Sequence, residues 1–275
     1  MSSLPPPPAG ARRAPKPTSL PFAPIGEPNG YKTVIYATGG VGKTTLSVHA
    51  PGPVAVFDLE NSLPILKKHA PSPALDAAQV VSVDTWQDMR DVLNQPVWDG
   101  IKSIVLDSAS RMEEMAIAHT LATVKTEKKG TATCIEDYGF GKGYGHVYDT
   151  FIQILADLER HTQAGRNVIL IAHECAEKVP NPGGEDYLQY QPRLQSPSSG
   201  KNSIRHKVKE WCDLMCFIAY DTAINKETGK VQGGGTRTLY PGQLPHCMGK
   251  TRTHSEPIYL DNNNLSSVWT TLIGE

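Results

Sequence analysis

"YATGGVGKTTLSVHAPG", residues 36–52, follows a β-branched run and leads into a stretch that reads as helix. Strand, glycine-rich turn and helix, in that order, form the context in which a Gly-Lys-Thr sequence closes around phosphate. In the loop Ala37-Thr38-Gly39-Gly40-Val41-Gly42-Lys43-Thr44, Gly40 and Gly42 let backbone N–H groups approach phosphate oxygens, and the helix start adds a positive dipole. Lys43 can reach the outer phosphates of a triphosphate such as ATP, and Thr44 can hold Mg²⁺. The expected binding set is Gly39, Gly40, Val41, Gly42, Lys43, Thr44 and Thr45. Ala37 stands where a first glycine is usual, and the later glycines still permit the close approach.

Outward from this loop, short β-branched runs alternate with helical stretches: "KTVIYA" (32–37), "VAVFD" (54–58), "QVVSV" (79–83), "SIVLD" (103–107), "NVILIAH" (167–173) and "LMCFIAY" (214–220). Runs apolar on both faces suit a sheet covered by helices on each side. The fold class is α/β, a mostly parallel twisted sheet with helices on both faces. "VQGGG" and "YPGQLP" after Tyr220 read as C-terminal β-hairpins. Residues 147–161 form the clearest amphipathic helix: Phe151, Ile154, Leu155 and Leu158 face the sheet, with Asp157, Glu159 and Arg160 turned outward. Residues 1–30 are crowded with proline and read as a disordered or extended tail, so the folded domain is expected over 31–275.

A net charge of −1 excludes a generally basic nucleic-acid coat, so any polyanion contact must be a local patch. The five cysteines are an odd number without the paired spacings of a zinc ribbon or disulfide framework, which fits a reducing cytoplasm. Cys212 and Cys216, beside apolar residues, read as core. No run is long enough for a membrane span, and no signal-peptide pattern opens the chain, so a soluble intracellular protein without membrane contact is expected.

Asp107 ends a buried strand at a plausible distance after the loop, where its carboxylate can bind magnesium through water. Two connections, 125–146 and 174–205, are long enough to suggest function. The first mixes Lys125, Lys128, Lys129 and Lys142 with Tyr138, Phe140, Tyr144 and Tyr148, a pattern in which cations track phosphates and rings stack on bases. In the second, Ser198 or Ser199 is expected to cap a helix carrying Lys201, Arg205 and Lys209 on one face, with Lys207 beside them. The expected single-strand contacts are Lys128, Lys129, Tyr138, Phe140, Lys142, Tyr144, Lys201, Arg205, Lys207 and Lys209.

Over residues 31 to 261 the order of phosphate loop, Asp58-x-Glu60, Asp107, strand-ending His173 and Lys250-x-Arg252 resembles a minimal RecA-like P-loop NTPase core. "YGFGKGYGHVYDTF" and "GKTRTHSEPIYLD" extend the resemblance to phage-encoded single-domain recombinases that promote ATP-linked single-strand annealing, grouped with AAA-type phage nucleotide-binding proteins. The resemblance implies ATP hydrolysis with Glu60 as general base, Lys43 on the phosphates and His173 as the γ-phosphate sensor, a place often held by glutamine. It implies that Lys250 and Arg252 reach a neighbour's nucleotide, so that the chain forms a ring or filament of identical copies. The implied partners are single-stranded DNA and a single-strand-binding protein, in the cytoplasm of a bacterial host. RecA-like filaments join through an aromatic residue on a linker, and Phe22 of "SLPFAP" is placed for that role. Ala37 and His173 depart from the family pattern and bear on hydrolysis rate more than on binding.

Partitioning ATPases share the Gly-Gly-Val-Gly-Lys-Thr loop, but they carry a signature lysine where this chain has Thr38 and lack the Asp-x-Glu. That class, and a P-loop NTPase without DNA activity, stand as the alternatives. A small-molecule kinase would need an arginine-rich lid, which the proline- and glycine-rich 174–205 stretch does not resemble.

Overall fold

In the computed structural model, residues 26, 29–127, 130–198, 200–224 and 231–274 are described. Among them nine strands form one sheet: β1 (Lys32–Ala37), β2 (Val54–Asp58), β3 (Gln79–Val81), β4 (Ser103–Asp107), β5 (Asn167–Val179), β6 (Tyr187–Pro192), β7 (Leu214–Ile224), β8 (Val231–Tyr240) and β9 (Ile258–Leu260). The helices are α1 (Lys43–Val48), α2 (Leu63–His69), α3 (Pro73–Ala77), α4 (Trp86–Leu93), α5 (Ala109–Thr123), α6 (Lys142–Gln163), α7 (Ile204–Trp211) and α8 (Leu265–Ile273). Strand order is β3-β2-β4-β5-β1-β7-β8-β9, with β6 paired to β5. The pairs from β3 across to β7 are parallel, and β5–β6, β7–β8 and β8–β9 are antiparallel.

Alternation along each central strand feeds two cores. Val34, Tyr36, Ile104, Leu106, Val168 and Leu170 point to the face covered by α4, α5, α6 and α7. Ile35, Ala37, Val105, Ile169 and Ile171 point to the face covered by α1 and α8. Because both faces are buried, the parallel strands read as unbroken apolar runs. Trp269 of α8 is 1% exposed, and its Nε1 donates to the Leu46 carbonyl at 2.9 Å, pinning α8 onto the helix that opens from the phosphate loop. Cys212 and Cys216 are buried, as expected of core residues.

Register decides where the chemistry collects. Ala37 pairs with His173, Ile171 with Asp107, and Asp107 with Asp58, so the carboxyl ends of four parallel strands lie along one edge. Loops at that edge of a parallel sheet form the usual ligand crevice.

Three expectations are corrected. Residues 174–205 are not a long loop: β5 runs on to Val179 and pairs antiparallel with β6, and α7 follows. Ser203, not Ser198, caps α7 by accepting from the His206 N–H at 3.2 Å, which leaves Lys201 ahead of the helix. Asp157 of α6 is 2% exposed and turned inward, ion-paired with Arg90 at 2.7 Å and Arg160 at 2.6 Å. Phe22, Lys128, Lys129 and Ser199 lie outside the described residues. Among the described residues, no helix is long and apolar enough to cross a membrane.

Candidate nucleotide site

The chain leaves β1 at Ala37, and Gly40 and Gly42 adopt φ of 77° and 101°. These left-handed conformations suit glycine and turn the loop back over the strand end. Lys43 is 7% exposed, and its Nζ donates to the carbonyls of Ala37 at 3.0 Å and Thr38 at 2.7 Å, which holds the ammonium in the crook of the loop. Burial lowers its pKa, while Asp107, Glu60 and Glu174 act in the opposite sense.

Thr44 Oγ1 donates to Asp107 Oδ2 at 2.6 Å. Burial pushes the Asp107 carboxyl up to about 6; the Thr44 bond and Lys43 resist, and the charges of Glu60 and Asp58 add to the push. A buried carboxylate with acidic neighbours is poorly compensated by protein alone, and a divalent cation beside Thr44 would restore the balance. Among the described residues no cluster of three or more His, Cys, Asp or Glu could hold a metal unaided. Mg²⁺ binds through one or two protein oxygens and takes its other ligands from phosphates and water, and the oxygens of Thr44 and Asp107 are of that kind.

The two acids of Asp58-x-Glu60 divide their work. Asp58 accepts from the Ser62 N–H at 2.9 Å and the Leu63 N–H at 3.0 Å, which caps α2. Asn61 at φ 54° turns the chain there, and Glu60 points back into the crevice. Its Oε1 accepts from Ser108 Oγ and lies 3.1 Å from His173 Nε2. Burial pushes the Glu60 pKa up, but hydrogen bonds from Ser108 and His173, with the charges of His173 and Lys43, outweigh it and hold the carboxyl below its ordinary value. Ser108 follows Asp107 across a cis peptide bond and N-caps α5. Glu60 is thereby held by the strand that carries the candidate magnesium ligand.

These groups line one pocket of about 400 Å³. One end is polar, formed by the loop, Lys43, Thr44, Glu60, Asp107 and His173, and the other is flanked by Ile65, Leu66 and His69 of α2. Such a pocket can seat a polyanion at the loop and a flat apolar group on α2.

Sequence reasoning missed Ser108, Glu174 and Arg237. Burial raises the Glu174 pKa, opposed by Lys43 and by the Thr38 N–H that its carboxylate accepts. Arg237 of β8 donates to the Val41 carbonyl at 2.7 Å and to Asn262 Oδ1 at 2.5 Å, bracing the loop from outside. Ser108 follows the strand-ending Asp107, which is a visible signal; Arg237 lies 196 positions from Val41, and nothing local marks it.

The other expected cations are placed differently. Lys250 Nζ donates to the carbonyls of Lys209 (2.8 Å), Glu210 (2.8 Å) and Cys212 (2.5 Å), closing the C-terminus of α7. These three bonds all lie within its own chain. Arg252 pairs with Asp213 at 2.6 Å. Arg205 is 4% exposed and donates to Gln191 Oε1 (2.7 Å), Glu177 Oε1 (2.7 Å) and the Leu194 carbonyl (3.1 Å), so the expected basic stripe loses its central member. Lys209 bonds Gln243 at 2.8 Å, and Lys207 is half-buried.

In the first connection Tyr138 is 6% exposed and its hydroxyl donates to the carbonyls of Thr120 and Val124, so the ring is core and not a base platform. Lys142 pairs with Glu127 at the surface. Phe140 is fully exposed at φ 48°, between Gly139 and Gly141, whose φ values are also positive. Tyr144 is partly exposed, and Gln195 Nε2 donates to both the Tyr144 and Asn202 carbonyls, which brings exposed Lys201 to the same side as the first turn of α6.

A phosphate loop at the carboxyl edge of a helix-covered, mostly parallel sheet, with a Thr–Asp pair beside it, defines a P-loop ATPase. The family model for the AAA domain matches residues 29–253, and the chain belongs to that family, which implies nucleotide binding. None of the curated proteins compared with the chain matches it.

Proposed function

We propose that the protein hydrolyses ATP and uses the nucleotide cycle to bind and anneal single-stranded DNA during phage recombination. The observation that carries the ATPase reading is Glu60, an ionised carboxylate fixed by Ser108 and His173 in the same pocket as Lys43 and Asp107. A merely passive phosphate site has no need of it.

Backbone N–H groups of residues 39–45 and Lys43 would hold the phosphates; Thr44 and Asp107 would hold the cation, which when bound would offset phosphate charge. Glu60 orients a water for in-line attack and takes its proton, and the hydrogen bonds from Ser108 and His173 keep the carboxylate aimed. His173 stands at the point where β5 leaves the parallel sheet for the β5–β6 hairpin, so a change at the γ-phosphate has a direct route to that hairpin.

Support for single-stranded DNA comes from the surface that Gln195 ties together, with Phe140 and Tyr144 for stacking and Lys142 and Lys201 for phosphates. Assembly into a ring or filament and residence in the host cytoplasm belong to the same reading and rest on the family resemblance. Titration of fluorescent single-stranded and duplex oligonucleotides, with and without ATP and Mg²⁺ and at two salt concentrations, tests it. Nucleotide-dependent, salt-sensitive binding that favours the single strand is expected; indifference to both nucleotide and strandedness would overturn the DNA reading.

A further inference from the structure

The proline-rich N-terminal stretch is a motif that the nucleotide site leaves unused, and the fold holds a pocket of matching chemistry. A cavity of about 420 Å³ opens on the other side of the phosphate loop, bordered by Thr38. Tyr190, Phe217, Tyr220, Tyr240 and His246 wall it, Glu174 and Asp221 stand beside them, and among the described residues no lysine or arginine lines it. Tyr190 and Phe217 stack at 5.1 Å and 16°, and Phe217 and Tyr240 at 6.4 Å and 27°, giving a row of near-parallel rings. Tyr190 and Tyr220 remain 42% and 43% exposed.

Rows of aromatic rings accept polyproline backbone, which is already extended and loses little entropy on docking. Carboxylates beside such rings select for a cation, through both charge and the ring faces, and they repel a polyanion. We propose that this pocket takes the chain's own segment "RRAPKP", residues 12–17.

Charge and reach both support that occupant. Residues 1–26 carry Arg12, Arg13 and Lys16, interleaved with prolines, and no acid. Tyr31, where the fold begins, is anchored at the amino edge of the sheet by its N–H to Asn167 Oδ1 at 3.0 Å. A stretch of the length from Lys16 to Tyr31 can extend to about 45 Å in polyproline geometry, against roughly 20 Å for the length of β1. The segment therefore reaches the carboxyl edge of its own sheet or that of an adjacent copy. Docked there, it bears on Thr38, whose carbonyl holds Lys43 Nζ at 2.7 Å, and on Tyr220, whose hydroxyl lies 3.4 Å from the Gly40 carbonyl. The tail would then press the phosphate loop from outside, whatever polymer the protein binds.

Hydroxyl-radical footprinting of the full chain, without DNA, tests the contact by comparing the native protein with the triple variant Arg12→Glu, Arg13→Glu, Lys16→Glu. These changes lie before the fold begins and leave its core intact. Oxidation of Tyr190 and Tyr220 is expected to rise several-fold in the variant, while Tyr259, 54% exposed and away from the pocket, keeps its rate. A second variant, Pro15→Gly and Pro17→Gly, keeps the charge and is expected to lose part of the protection. Protection that survives dilution identifies the chain's own tail, and protection lost on dilution identifies a second copy's; either is the proposed segment in the proposed pocket. Equal oxidation of Tyr190 and Tyr220 in the native and charge-reversed chains overturns the inference.

Discussion

Replacing Arg205 by alanine separates two roles for the hairpin side of the molecule, because one predicts a loss of stability and the other a loss of DNA affinity. The guanidinium is 4% exposed and satisfies Gln191 Oε1 and the Leu194 carbonyl. Truncation strands both buried acceptors, at about 1–3 kcal/mol each. The pair with Glu177 adds less, since that carboxylate is 45% exposed and screened. Arg205 Nε has no partner among the described residues, which draws the total toward the lower end. The expected loss for Arg205→Ala is about 3–4 kcal/mol, or a Tm lower by roughly 6–16 °C for a chain of this size. Equilibrium urea unfolding reads it directly, with Lys201→Ala as the exposed control, expected within about 0.5 kcal/mol of the native protein. A loss below about 1 kcal/mol accompanied by weakened oligonucleotide binding would refute the structural assignment and restore Arg205 to a DNA-facing role.

Further outcomes follow from the site. Glu60→Gln should retain ATP binding and slow turnover by about 10²–10⁴-fold; unchanged steady-state phosphate release would move the base elsewhere. Asp107, with its folded pKa raised to about 6 from 3.8, destabilises the fold when ionised; that cost is fully present above about 6 and is relieved as pH falls toward 3.8. Without divalent cations, Asp107→Asn should therefore be more stable than the native protein at pH 7, by something on the order of 3 kcal/mol, with the difference vanishing near pH 4; a constant difference across that range would contradict the linkage. Phe140→Ala, at a fully exposed position, should weaken single-strand binding by about 1–3 kcal/mol and leave the melting temperature unchanged; equal affinity would remove Phe140 from the DNA surface.

The parallel strands and the phosphate loop were legible because their signals are local. Unbroken β-branched runs end at Ala37, Asp58 and Asp107, and the bounds of β1, β2 and β4 coincide with those runs. The β5–β6 hairpin was not legible, because its pattern is inverted: Gln189 and Gln191 are 4% and 6% exposed while Leu188 is 69% exposed. Gln189 is paid for by the carbonyls of Leu244 and Pro245, and Gln191 by Arg205, partners that no periodicity reveals. The bonds of Lys250 are hidden for the same reason, since its three acceptors lie 38 to 41 residues away at a helix end. Asp157 sits on the nominally polar side of α6, yet it is drawn inward by Arg90 of α4, 67 positions earlier.

Calorimetric titration with a non-hydrolysable ATP analogue and Mg²⁺, on the native chain and on Lys43→Ala, addresses the nucleotide site itself. Saturable one-to-one binding is expected for the native chain, with thermal stabilisation of about 2.7 kcal/mol at a hundredfold excess over Kd, and both effects should disappear in Lys43→Ala. A native chain that takes up no analogue, or a Lys43→Ala chain that binds as tightly, would contradict the account.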